Sequence, residues 1–267
     1  MNKIHIFFTI NDTYCFHLAV AMVSILKNSK LNDNFHFHVI SSDLKEESKN
    51  KLMLLKTIKD FEIEFLYIDK KIFANFPPYY AKHITVESCF RLKIASMKPE
   101  LEKAIYLDSD LVVTGSLNDL WNLDISENYI AASLDVYSEK IKKILNISFV
   151  DQYFNAGILL MNLKKWNLDN IEEKFFYNMD KYRNNLTIPD QDIMNITFAG
   201  KTKLLSSEWN FCPLLLECKN KFELEKIKNP IIIHYAGSPK PWVKNDNRYS
   251  EYYLKYADLV PFKNNWI

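Results

Sequence analysis

Apolar runs of the type that is buried on both faces recur at Ile4–Ile10, Phe35–Ile40, Glu64–Ile68 and Ala104–Leu107, and segments of helical periodicity separate the first three. A strand covered on both sides needs helices above and below it, so this alternation predicts an α/β domain whose mainly parallel central sheet is flanked by helices. The helix candidates carry matching apolar stripes. Leu18, Met22, Ile25 and Leu26 share one face of Tyr14–Asn28, and Val86, Phe90, Ile94 and Met97 share one face of Val86–Met97. Thr85 is placed to cap the second helix and Pro99 to end it. Gly157–Asn162 and Pro230–His234 read as later strands in a less regular second half. No linker, low-complexity tract or internal repeat divides the 267 residues, which are therefore expected to form a single domain.

Composition excludes several classes. Basic and acidic side chains nearly balance, 34 against 33, which removes the electrostatic case for a nucleic-acid partner. Cys15, Cys89, Cys212 and Cys218 show no metal-ligand spacing and are too sparse for a disulfide framework, which points to a reducing, cytoplasmic setting. The apolar start of the chain stops at Asn11-Asp12 without a small-residue cleavage site and reads as a strand; no apolar run is long enough to span a membrane. The chain has only four glycines, so each is worth locating.

In open α/β sheets, ligands bind beyond the carboxyl ends of the strands. The sequence puts Asn11-Asp12, Asp108-Ser109-Asp110 and His234 at three such ends. An Asp-x-Asp alone means little, since about one is expected by chance in a chain like this and Asp190 and Asp192 form another. Around Asp108 and Asp110, however, Ile-Tyr-Leu leads in and Leu-Val-Val leads out. On an extended backbone alternate side chains share a face, so both carboxylates can reach one hard cation; a solvated strand-end turn is the alternative. Val112 and Gly115 break the pattern of a calcium loop. His234 is either a hydrogen-bonded structural residue or a third ligand, and two carboxylates with one imidazole suit manganese better than zinc or calcium. Glycine-rich dinucleotide and P-loop motifs and the serine-hydrolase elbow are all missing. A divalent ion aided by Lys240 could instead neutralise a diphosphate.

Six blocks in order, FTINDTY (8–14), HITVESCFRLKIA (83–95), YLDSDLVV (106–113), FNAGILLMNLKKW (154–166), DQDIMN (190–195) and HYAGSPKPW (234–242), resemble the retaining glycosyltransferases of family 8. That family has the GT-A fold and includes glycogenin and the bacterial lipooligosaccharide and lipopolysaccharide galactosyl- and glucosyltransferases; the likeness is greatest to the lipooligosaccharide α-galactosyltransferases. The resemblance implies that Asp108, Asp110 and His234 hold Mn2+, with Mg2+ as a substitute, against the phosphates of a UDP-sugar. Thr9, Ile10, Asn11, Asp12, Thr13 and Tyr14 would form the uridine site, with Tyr14 stacked on uracil and Asn11 where the family usually has an acidic residue. Ser109, Gly237 and Lys240 would lie along the diphosphate, and Arg91, Asn155, Asp190 and Gln191 around the donor sugar. His83 and Asp135 match positions nearer the acceptor. Residues 1–110 would be the nucleotide half, 111–242 the sugar and acceptor half, and 243–267 an aromatic and basic tail.

The implied reaction is retaining transfer of a hexose, galactose before glucose, from UDP to a hydroxyl of a saccharide or glycolipid acceptor in surface-glycan synthesis. Lys240 would stabilise the departing UDP. Gln191 is an amide and a poor nucleophile, so a front-face path is favoured over a covalent intermediate on Asp190. Tyr249, Tyr252, Tyr253 and Tyr256 share one helix face, either docked on the core or forming a peripheral contact with the inner membrane. Two rivals are a catalytically inactive UDP-sugar-binding scaffold and a sugar nucleotidyltransferase. The first would tolerate loss of Asp108, Asp110, His234 or Gln191, all present here, and the second wants a glycine-rich first loop, absent here.

Overall fold

The computed structural model describes residues 3–77, 85–135, 137–213, 227–244 and 249–265. Its strands are β1 (Lys3–Thr9), β2 (Asn34–Ser41), β3 (Glu62–Tyr67), β4 (Ala104–Leu107), β5 (Leu111–Val113), β6 (Ile130–Ser133), β7 (Ile158–Met161), β8 (Thr202–Leu205) and β9 (Ile232–His234). Seven of them form one sheet in the order β3-β2-β1-β4-β7-β6-β8, while β5 and β9 form a separate ribbon. The β3-β2-β1-β4 half is parallel throughout, and β7 runs antiparallel to both of its neighbours. The helices are α1 (Cys15–Lys27), α2 (Glu46–Met53), α3 (Ile94–Met97), α4 (Asn118–Trp121), α5 (Ser138–Leu145), α6 (Leu163–Leu168), α7 (Ile171–Tyr182), α8 (Pro189–Thr197) and α9 (Ser250–Ala257).

Period-2 alternation divides the core between the two faces of the sheet. Ile4, Ile6, Phe8, Phe35, Phe37 and Val39 pack with α1, β5, β9 and α9 on one side. Phe7, Ile40 and Tyr106 pack with residues 89–95 and α6 to α8 on the other. Each fully buried aromatic or branched side chain contributes about 1.5–3 kcal/mol. The strand expected at 104–107 is present with those bounds, and those expected at 4–10, 35–40, 64–68, 157–162 and 230–234 are present with shifted ends. Strands β5, β6 and β8 were not expected; each has only three or four residues and too little sequence to show a period.

The helix expected over Val86–Met97 is a correction. Residues 86–93 wind as a 3-10 helix, and only Ile94–Met97 is α-helical. With three residues per turn, Thr85, Ser88 and Arg91 fall in one row, and all three line the cleft described below. Thr85 occupies the cap position without a side-chain cap bond; its carbonyl accepts the Ser88 hydroxyl. The tyrosine face of α9 docks on the core. Tyr249, Tyr253 and Tyr256 are buried and Tyr252 is 39% exposed. Tyr253 and His17 share a hydrogen bond of 2.6 Å, and Asn28 donates to the Tyr256 hydroxyl at 2.7 Å. Among the described residues, no helix is long and apolar enough to cross a membrane.

Candidate active site

Strand β4 ends at Leu107 and the chain passes through Asp108-Ser109-Asp110 into β5, which pairs with β9 so that Leu111 stands opposite His234. The backbone N–H of Tyr235 donates to the Asp110 carbonyl at 2.9 Å, and that of Asp108 to the Gly157 carbonyl at 2.8 Å. These strand ends bring Asp108, Asp110 and His234 together: His234 Nε2 is 3.3 Å from Asp110 Oδ1 and 3.6 Å from Asp108 Oδ2. The three possible ligand atoms lie within 4.8 Å of one another. His234 Nδ1 sits 2.9 Å from Asn210 Oδ1, an acceptor, so the ring carries its proton on Nδ1, donates it there and leaves the Nε2 lone pair facing the carboxylates. Gly157 lies behind this group, where a Cβ would fall 2.3 Å from His234 Cε1 and 2.8 Å from Asp108 Oδ2. Two carboxylates, one oriented imidazole and a backbone cradle without a side chain suit a hard or borderline divalent cation.

The cations around this triad are built in. Lys240 Nζ donates to Asp110 Oδ2 and, at 2.8 Å, to the Tyr235 carbonyl. Burial pushes the Asp110 carboxyl up, but Lys240 and His234 outweigh it and hold the group well below the usual carboxylate range. Burial lowers Lys240, and Asp110 more than restores it, so the ammonium is raised. Arg91 is buried over the Tyr106 ring at 4.4 Å and is 3.0 Å from Asp108 Oδ1 and 3.2 Å from Asp190 Oδ2. It also donates to the carbonyls of Ser88 and Ala156. Asp108 further accepts from the Tyr106 hydroxyl at 2.7 Å, which lies 2.9 Å from Thr9 Oγ1.

A polar chain runs from the triad toward α8. Asn210 donates to Asn155 Oδ1 at 2.9 Å, and Asn155 donates to Asp135 Oδ2 at 3.1 Å. Gln191 donates to the same Asp135 oxygen and to the Tyr153 hydroxyl, each at 3.3 Å, while its Oε1 accepts the Ala156 N–H at 3.0 Å. The two aspartates beside Gln191 divide their roles. Asp190 pairs with Arg91; Asp192 accepts the N–H groups of Thr187 and Ile188 and the Tyr153 hydroxyl, locking the entry to α8. Burial raises the Asp192 carboxyl to about 6, against these hydrogen bonds.

All of this opens on a cleft of about 470 Å³, within the range of small-molecule sites. Thr9, Ile10, Asn11, Tyr14, Arg91, Asp108, Ser109, Asp110, Asp135, Asn155, Asp190, Gln191, His234, Gly237 and Lys240, all expected from the sequence, line it. Gly237 does so with φ +85°, a conformation that favours glycine. Asp12 and Thr13 do not line it. Asp12 instead accepts from Lys45 and Ser48 at the start of α2, and Thr13 donates to Asn11 Oδ1, which also caps the turn at Tyr14 N. His83 lies outside the described residues. Sequence reasoning missed Asn210, Ser88 and Tyr153. Asn210 ends a single 3-10 turn, Ser207–Asn210, too short to show a period or motif, and its role exists only once β9 is folded.

Comparison with known proteins gives the chain a family and a fold. The model of the family described as glycosyl transferase family 8 matches residues 5–246. A glycosyltransferase-family protein of Haemophilus influenzae is 36% identical over 90% of this chain and 73% of its own. An Escherichia coli lipopolysaccharide 1,2-glucosyltransferase is 30% identical over 96% of this chain and 78% of its own. The crystal structure of the galactosyltransferase LgtC with donor and acceptor sugar analogs superposes with a TM-score of 0.85 at 28% identity, covering 97% of this chain and 96% of that one.

Proposed function

The chain belongs to glycosyl transferase family 8 and is a glycosyltransferase, and on that premise we propose that it moves a hexose, galactose before glucose, from a UDP-sugar to a saccharide hydroxyl with retention of configuration. The observation that carries this reading is the convergence of Asp108, Asp110 and His234 with Lys240 and Gln191 in one cleft. Residues 1–110 supply the nucleotide side, with Tyr14 against the base, and residues 111–242 supply the sugar and acceptor side. Asp108, Asp110 and His234 would hold Mn2+, which when bound supplies positive charge to the diphosphate.

Lys240 is placed to follow the charge that develops on the leaving UDP, because it is already desolvated beside Asp110 and needs no reorganisation. Arg91 fixes Asp190 and Asp108, spending the charge of Asp190 on an ion pair and making it a weak candidate nucleophile. Gln191 is held at both ends of its amide, and its carbonyl oxygen keeps a second lone pair for an oxocarbenium-like centre. With Asp190 committed to Arg91, the departing phosphate oxygen is the base for the acceptor hydroxyl, on the same face of the sugar. The glycan is a bacterial surface saccharide by the likeness to the Escherichia coli glucosyltransferase, and galactose is preferred to glucose by the likeness to LgtC.

The test is UDP release from UDP-galactose, UDP-glucose and UDP-N-acetylhexosamines, with and without Mn2+, beside Asp110→Ala. Manganese-dependent release from one hexose donor, lost in the variant, is the expected result. UDP binding without turnover, even with a panel of saccharide acceptors, would favour the inactive scaffold, and absence of UDP binding would sink the reading.

A further inference from the structure

Three of the chain's six histidines lie together on the parallel half of the sheet, away from the cleft. His5 stands on β1 directly opposite His36 on β2, and His38, two residues on, projects from the same face. His5 Nδ1 is 3.0 Å from His38 Nε2, and the rings of His36 and His38 stack at 4.2 Å between centroids. All three side chains offer a nitrogen within 4.8 Å of the others. The cluster sits toward the amino ends of the strands. From His5 to Thr9, the first residue of the cleft, the strand advances roughly 13 Å at about 3.3 Å per residue.

We propose that His5, His36 and His38 form a second metal site, which takes a zinc-class transition ion and is separate from the Asp108, Asp110 and His234 centre. An all-imidazole donor set selects zinc, copper, nickel or cobalt over magnesium, manganese or calcium. With metal–nitrogen bonds of about 2.0–2.1 Å, tetrahedral ligand nitrogens stand ~3.3 Å apart. The 3.0 Å between His5 and His38 is therefore close to what the ion needs, and His36 is the neighbour that completes three ligands with a fourth position open to water.

The surroundings are those of a metal site. Strand β3 places Glu62 opposite His36 and Glu64 opposite His38. Glu64 Oε2 accepts from His38 Nδ1 at 3.0 Å, and Glu62 Oε2 is 3.4 Å from His36 Nδ1. A carboxylate on one ring nitrogen holds the tautomer that presents the other nitrogen to an ion. The two lysines nearby repel a cation, but each is paired with a carboxylate. Lys3 is paired with Glu62 at 2.6 Å, and Lys98 with Glu64 at 3.1 Å and Glu100 at 2.7 Å, which leaves three carboxylates against two ammonium groups. Phe7, stacked on His38 at 4.2 Å, closes the inner side.

The full chain, without an affinity tag and stripped with chelator, is titrated with Co2+ and with Zn2+. The expected result is an intense visible cobalt band of a four-coordinate, nitrogen-rich site, present in wild type and in Asp110→Asn and lost in His36→Gln. The same substitution should weaken zinc at this site by about 10–100-fold. In the Asp110→Asn background, Zn2+ should still raise Tm, and adding His36→Gln should remove that rise. His5→Asn is the second variant if His36→Gln misfolds, and far-ultraviolet circular dichroism checks both. A cobalt band indifferent to both histidine substitutions, or lost with Asp110→Asn, would overturn the proposal and leave the three rings as stacked packing alone.

Discussion

The two three-residue groups that could hold a metal among the described residues are built on opposite logic. Asp108, Asp110 and His234 come from the ends of β4 and β9, 126 positions apart at their extremes of Asp108 and His234, and meet only because β5 pairs with β9. His5, His36 and His38 come from adjacent parallel strands, where register alone makes them neighbours. The first group is crowded with Arg91 and Lys240, and Lys240 and His234 hold the Asp110 carboxyl well below the usual range. The second is neutral in the folded chain, because burial, neighbouring imidazoles and the lysines push His5 down to about 4 and His38 to about 2. A sheet thus offers two ways to focus ligands: strand ends that tolerate charge because a cleft and counter-ions receive it, and a pleated face that collects uncharged donors.

The largest effect that would break this contrast is loss of the charged centre. Asp110→Asn keeps the shape but removes one anion between Lys240 and His234, and is expected to lower manganese-dependent UDP release by about 10³-fold or more while leaving cobalt at the histidine face. Steady-state turnover and cobalt absorption, read on one preparation, check both halves. Next is Gly157→Ala. Its methyl would lie 2.3 Å from His234 Cε1, so the imidazole must move; metal affinity at the cleft should drop about 10–100-fold, with Tm changed far less. Asn210→Leu should cost about 10-fold in metal affinity by freeing the His234 tautomer, measured by manganese titration of UDP binding.

The smallest expected effects lie in pH. His5 and His38 refuse protons that the unfolded chain accepts below about 6.5, so without metal their contribution to stability is complete above that pH and declines as pH falls from 6.5 toward 4. Lys3, Lys98 and His36 reinforce this, and Glu62 and Glu64 oppose it. Asp192 has the reverse sign: its carboxyl, raised to about 6 from an ordinary ~3.9, is unfavourable above pH 6 and is relieved as pH falls from 6 to 4. Asp192→Asn should therefore make the acid-side loss of Tm steeper, and His5→Asn should make it shallower, by about 2–4 °C each. Equal slopes in both variants and wild type would show that neither group titrates as described.

Much of the charged centre was legible in the chain, because strand ends, a doublet of aspartates and a histidine after an apolar run are local patterns. What decides their chemistry was not. The Asp190-Gln-Asp192 segment gives no hint that one carboxylate faces Arg91 while the other ties down Thr187 and Ile188, since that division depends on the direction each side chain leaves α8. The 3-10 winding of residues 86–93 hid behind an apolar spacing that suits an α-helix equally well. The histidine face left a readable trace, Phe35-His36-Phe37-His38, whose alternation puts both imidazoles on one side of a strand; the third ligand and the two glutamates required the pairing of β1, β2 and β3.

The pairing of β5 with β9 also orders events in time. Both carboxylates have been synthesised by residue 110, but the imidazole and Lys240 follow only after another 124 residues or more, roughly 6–25 s later at about 5–20 residues per second. The histidine face, by contrast, has all its ligands within the first 38 residues. A growing chain therefore carries every donor of one metal site long before the other can exist, and a product cut short of β9 has both aspartates with nothing to complete them.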